Sequence, residues 1–305
     1  MALYLLWVLW PAFGGVLLGA LWWSLRARRD GPLSPDTRTV SVLAVGGGFV
    51  VLLLPHLLVA LWLWGSMGDL TRFLLDVRYT LPLVVGILVV AILAIPRRAP
   101  RMPGVAQVSR RTLLSFLPFG WVTAVAVIVL LNVALTLSAG FASVPDEFGN
   151  HRMFEIEIGS LMTAGTEIYG WYYSTVPMIL IGVLLIVATL AIGLIARPPM
   201  SFEPEEDARV RRVRSVIVAR VTAGALALHC AAVLSSLSGT AALYGTTTAT
   251  GSAGAISVGT SFAALEGALR ISGQIAVAVG LFLWTVALMV SLAKPRTAPT
   301  LGTTP

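Results

Sequence analysis

The chain has 305 residues, 57% of them apolar and 11% charged, against roughly 45–50% and roughly 25% in an ordinary soluble domain. That balance argues against a water-soluble fold. The net charge of +7 comes from Arg clustered at the ends of apolar stretches, a pattern that reads as membrane topology and excludes nucleic acid as the expected partner.

Apolar stretches of about 20 residues, the length that crosses a hydrocarbon core, alternate with short charged clusters. They predict an all-α, polytopic transmembrane helix bundle with seven spans near residues 3–25, 40–64, 79–96, 113–137, 172–195, 216–238 and 271–292. Residues 1–296 read as a single integral membrane domain and 297–305 as a short, disordered cytoplasmic tail. With the N-terminus outside, only Arg72, Arg78, Arg152 and Arg270 face the exterior. The other basic segments are cytoplasmic, as the positive-inside rule favours, so the C-terminus is cytoplasmic. A multi-pass protein of the cell membrane is the expectation.

The first stretch lacks a basic segment before it and is followed by Arg26, Arg28 and Arg29, so it reads as a retained span and not a cleaved signal. Its Gly15 and Gly19 form a small-residue pair that lets helices approach closely. In span two, His56 follows Pro55, whose ring removes a helix hydrogen bond. The loop beyond it carries Leu70, Phe73, Leu74 and Val77 at helical spacing, and Ser66 with Asp69 resembles a capping box. A short helix in the outer interface is predicted there.

Spans three and five begin alike, with Thr80-Leu81-Pro82 and Thr175-Val176-Pro177, followed by Gly86 and Gly182. A duplicated hairpin fits this similarity, and so does topology alone. Tyr79, Tyr169, Trp171, Tyr172 and Tyr173 mark one outer boundary as an aromatic belt. In span four, Asn132 is expected to hold a neighbouring helix, as is Gln274 in span seven.

The loop over residues 138–170 is acidic. Phe154, Ile156 and Ile158 alternate there with Glu155 and Glu157, which predicts an extended piece with one sheltered face. Asp146, Glu147, His151 and Glu155 match no recognised metal-binding spacing, so a solvated loop is expected and no metal site is assigned.

On the cytoplasmic side, Glu203, Glu205, Glu206 and Asp207 precede Arg209, Arg211, Arg212 and Arg214, with Pro204 near a helix start. Acid first and base last suits the helix dipole, and Glu205 with Arg209 and Asp207 with Arg211 are four-residue pairs. Span six is therefore predicted to extend into the cytoplasm. The four arginines are the candidate docking residues for a cytoplasmic or membrane partner.

Span six itself carries Ala219, Ala223, Ala227, Ala231 and Ser235, a small residue at every fourth position, and should be central in the bundle. It also holds His229 beside Cys230, the single cysteine, which leaves no intramolecular disulfide. Arg220 and Arg270 are expected to reach the interface by snorkelling, and Glu266 to pair with Arg270. Residues 239–265, rich in Gly, Ala, Ser and Thr, are expected to be flexible.

No Asp or Glu sits in the middle of any span, which weighs against a carrier coupled to protons or sodium. No familiar catalytic or phosphate-binding motif occurs, so no catalytic residue is assigned. The function expected is that of a non-catalytic, permease-like or accessory subunit of a membrane transport assembly, with the lipid bilayer and a protein as partners. The first alternative is a redox protein in which His56 and His229, about 24 Å and about 20 Å above their inner helix ends, hold haem or another metal. The second is a sensor that uses the acidic outer loop.

Overall fold

The structure is a computed structural model that describes residues 2–25, 33, 35–62, 73–95, 115–159, 162–197, 204–248 and 255–293. Seven long helices occupy the seven predicted stretches: α1 (Ala2–Leu25), α2 (Pro35–Trp62), α3 (Leu81–Ala94), α4 (Phe119–Ala142), α5 (Trp171–Ala196), α6 (Pro204–Ala241) and α7 (Glu266–Leu292). Five of them are long and apolar enough to cross a membrane, and Leu9–Leu25 and Leu81–Ala94 are shorter apolar helices. Large apolar side chains such as Leu43, Leu130 and Ile179 lie 63–70% exposed around the bundle. A soluble monomer rarely exposes so continuous an apolar surface, so lipid is the solvent that this surface fits.

α6 is the central helix. Every residue from Ser215 to Ala231 is buried, and Ala219, Ala223, Ala227 and Ala231 all lie inside the packing. The predicted extension is present: 38 residues from Pro204 span about 57 Å, well beyond the about 30 Å of a hydrocarbon core.

Glycines set the helix spacing on either side of α7. A Cβ on Gly15 of α1 would lie 2.3 Å from the Ala278 carbonyl oxygen, so these two backbones touch. Trp284 of α7, fully buried, occupies a slot between Gly48 of α2 and Gly224 of α6. A Cβ at those positions would fall 2.7 Å and 2.6 Å from the indole ring.

The start shared by spans three and five does not carry through. Thr80 immediately precedes α3 and Pro82 lies in its first turn, whereas α5 begins at Trp171 and contains Pro177 in its interior. A Cβ on Gly86 would meet Ala225, while Gly182 faces open space.

One end of the bundle carries all the strands. β1 (Val144–Pro145), β2 (His151–Gly159) and β3 (Met162–Glu167) form an antiparallel sheet in that order, and β4 (Tyr244–Thr248) pairs with β5 (Ala255–Gly259). The extended piece with a sheltered face is borne out, since Ile156 and Ile158 are buried and Glu155 and Glu157 exposed. Residues 239–265 correct the expectation of a flexible loop: they contain the β4–β5 hairpin, with Thr246 opposite Ser257 and Thr247 opposite Ile256. Gly245 lets this hairpin lie on the first sheet, because a Cβ there would fall 1.9 Å from Ile158 Cδ1. Phe154 and Phe262 meet edge to face at 5.3 Å beside that contact.

The β1–β2 connection is tightly tied. Asp146 accepts hydrogen bonds from the backbone N–H groups of Phe148 (2.9 Å) and Asn150 (2.8 Å) and pairs with Arg152 (2.6 Å). Gly149, at φ +79°, supplies the left-handed residue that this turn requires. Shielding from water opposes ionisation of Asp146, but the two backbone donors and Arg152 together hold its carboxyl below the usual range. A lowered native pKa contributes stability that is present above the unfolded value of about 3.9 and is lost as pH falls through the native value. Limited proteolysis is therefore expected to leave residues 143–170 intact near neutral pH and to cut them below pH about 4. The Asp146→Asn chain should be cut already at neutral pH, and equal cutting of both chains at every pH would refute this role.

The end opposite the sheets is the arginine end. Ser66 and Asp69 of the predicted capping box, and residues 294–305 of the tail, lie outside the described residues. Phe73 and Leu74 fall in a helical turn over 73–76.

Candidate functional site

The sequence singles out two histidines and four arginines, and the structure gives them different surroundings. His229 is fully buried. Its Nδ1 donates to the Tyr79 carbonyl at 2.8 Å, and its Nε2 faces the Tyr169 hydroxyl at 3.5 Å, the long limit of a hydrogen bond. That geometry makes it a neutral imidazole stitching α6 to the start of α3 and to the segment before α5. Burial pushes the Tyr169 phenol well above its ordinary range, so it stays a neutral donor.

The Tyr79 ring meets that of Tyr169 at 4.6 Å and that of Tyr173 at 5.7 Å, both tilted. These rings gather as core: Tyr79 and Tyr169 are buried, and Tyr169 meets the His229 ring edge to face at 5.9 Å. A belt position and a core position share the same sequence signal, an aromatic ring with a polar tip at a span end.

His56 donates from Nδ1 to the Leu52 carbonyl at 3.2 Å, one helical turn back. It does not meet His229. His56 lines a cleft of about 330 Å³ between α2, α3, α6, α7 and the turn over 73–76, where His229 is not among the walls. An axial bond from His229 to a haem iron would require it to release Tyr79 or Tyr169. Among the described residues, no group of three or more His, Cys, Asp or Glu gathers as a metal site.

Sequence reasoning left Arg78 as a topology marker, yet it is the charged member of the cleft wall. Its Nη2 donates to the Tyr79 hydroxyl at 2.6 Å and its guanidinium lies 4.6 Å from that ring's centre. Its Nε is buried without a hydrogen-bond partner, and it forms no ion pair with any described residue. Leu52, Leu75, Leu81, Leu228, Ala232 and Val277 make much of the remaining wall apolar, and Ser235 adds a hydroxyl.

At the arginine end, the four candidate docking residues divide. Arg211 is 5% exposed. It pairs with Asp207 at 2.8 Å and donates to the carbonyls of Ile195 (3.2 Å) and Ala196 (3.1 Å), the last turn of α5. Arg214 donates to the Leu93 carbonyl at 3.1 Å, at the end of α3. A helix C-terminus leaves carbonyls without internal partners, and these two guanidinium groups satisfy them. Arg209 is held by Glu206 at 2.8 Å, while Arg212 is exposed.

Arg220 corrects another expectation. It does not snorkel outward but is 6% exposed, with its guanidinium 5.5 Å from the ring of Trp22 and 5.7 Å from that of Trp121. Two electron-rich ring faces from α1 and α4 give a cation there a favourable environment within the protein.

Two smaller expectations hold. Arg270 pairs with Glu266 at 3.1 Å. Asn132, fully buried, donates to the Leu226 carbonyl across the α4–α6 contact at 3.3 Å; Cys230 is buried. No family model, curated protein or solved structure matches the chain.

Proposed function

We propose that this protein is a non-catalytic, permease-like or accessory subunit of a larger membrane assembly. In this reading all seven helices cross the bilayer, with the sheet end outside and the arginine end in the cytoplasm. The observation that carries it is the unbroken burial of α6 from Ser215 to Ala231. A central helix sheathed by protein holds a bundle together. Its own His229, and Asn132 of α4 against it, are committed to backbone carbonyls of neighbouring segments and act as interhelical ties. α3 is short for a span, but Leu83 and Val90 are fully buried, so it meets protein where a lipid-facing helix would need more length.

With the middle packed, the ends are left for recognition. Phe148, 81% exposed, projects from the turn that Asp146 fixes, and Tyr244, 71% exposed, projects from β4. Exposed aromatic rings on a rigid platform suit a protein partner.

Cys230 is buried, so a cysteine introduced elsewhere reports alone. A membrane-impermeant maleimide on intact cells is expected to label Phe148→Cys and to leave Arg212→Cys unlabelled. A photo-crosslinking residue at Phe148 or Tyr244 should trap one discrete protein that is absent when the probe replaces lipid-facing Leu130. Labelling of Arg212→Cys from outside would invert the topology. Crosslinks only to a second copy, or none, would remove the accessory role.

A further inference from the structure

We propose that the cleft beside Arg78 and His56 is a binding site for an anionic phospholipid from the leaflet at the sheet end, with its phosphate on Arg78 and one acyl chain along the apolar wall. Charge complementarity carries the inference. A guanidinium retains its proton at any accessible pH, and placing one beside an apolar wall is costly without a counter-charge. Arg78 has no carboxylate partner among the described residues, and its buried Nε has no acceptor. The contact with Tyr79 fixes the group in place but brings no negative charge. An anion is the missing half of that arrangement. A guanidinium donates to phosphate oxygens through its N–H groups, so a phosphate in the cleft would be held by the Nη donors that the Tyr79 hydroxyl leaves over.

The remaining wall selects the rest of the ligand. Leucine side chains from α2, the 73–76 turn and α6 surround a volume of about 330 Å³, at the small end of the about 300–1,000 Å³ of ligand sites. That volume suits one hydrocarbon chain and not two. A diacyl lipid would place one chain in the cleft and leave the other in the bilayer. With the His56 Nδ1 proton engaged by Leu52, a neutral ring keeps Nε2 as an acceptor, and Ser235 supplies a hydroxyl. Both suit the polar glycerol end of such a lipid.

The test uses the full chain in vesicles of phosphatidylcholine carrying a minor share of phosphatidylglycerol with matched chains. Lipid retained after mild detergent extraction is read by native mass spectrometry. A charge-assisted contact predicts about tenfold enrichment of phosphatidylglycerol over phosphatidylcholine. Arg78→Gln should bring the two to parity, and Arg78→Lys should keep part of the preference. Ser235→Leu, which fills the cleft from an exposed position, should lower retention of both lipids. Excess inorganic phosphate should leave the enrichment unchanged, and displacement by it would assign the site to a free anion instead. Parity in the unaltered chain, or undiminished enrichment in Arg78→Gln, overturns the proposal. If Arg78→Gln does not fold, undiminished retention of both lipids in Ser235→Leu overturns it equally.

Discussion

Replacing Gly224 with valine is expected to destabilise the bundle by about 1–3 kcal/mol or more, the range for overpacking a close-packed interior. The new side chain would be driven into Trp284, whose ring lies 2.6 Å from the position of the first added carbon and has Gly48 on its other side. A fully buried Trp clamped from two helices has no rotamer into which to retreat, so α6 and α7 must separate. The measurement is the midpoint of unfolding in a mixed detergent series. Trp284→Leu, destabilising alone because it empties the slot, should offset part of the Gly224→Val cost when the two are combined. Contacting residues commonly couple by about 0.5–3 kcal/mol, whereas independent ones add within about 0.5 kcal/mol. Simple additivity would show that the slot does not govern the packing.

The second large effect is expected at the arginine end, where two neighbouring acids on one helix should behave differently. Asp207→Ala strips the carboxylate from Arg211, which is 6% exposed at its side chain, and removing one member of a buried pair costs about 3–5 kcal/mol. Glu206→Ala removes one partner of Arg209, but that pair has side chains 30% and 51% exposed, and exposed pairs contribute about 0–1 kcal/mol. The Glu206 contribution should also fade in high salt, because water and ions screen it. Thermal unfolding of the two variants in detergent separates the cases. Equal losses would mean that Arg211 relaxes to solvent once Asp207 is gone.

Much of this architecture is legible in the amino-acid order because the bilayer imposes a length. Apolar blocks of about 20 residues locate all seven helices, although α4 lies five to six residues further along than predicted and α6 begins twelve residues earlier, in its charged extension; the small residues from Ala219 to Ala231 identify the central one. Alternation over residues 154–158 is enough for β2, since a strand with one sheltered face must alternate. The β4–β5 hairpin is hidden by its composition. Thr246, Thr247 and Thr248 read as a small polar loop, although their β-branching, and that of Ile256 and Val258, is a strand signal.

The cleft is not legible for a different reason. Arg78 reads as a charge near a span end, and only the fold places Leu228 and Val277, some 150 to 200 residues later in the chain, across from it. The same holds for Arg211 and Arg214, whose acceptors belong to α5 and α3. A charge run carries no mark of whether it faces water or the open end of another helix.

The contact between Ile158 and Gly245 has a bearing on biosynthesis. Ribosomes deliver the isoleucine long before the glycine, so the newborn sheet waits uncovered while α5 and α6 are threaded. Apolar strand surface left bare in that interval invites aggregation. Chaperone attention should fall on this stage, which ends once α6 is in place and the β4–β5 hairpin that follows it covers Ile158.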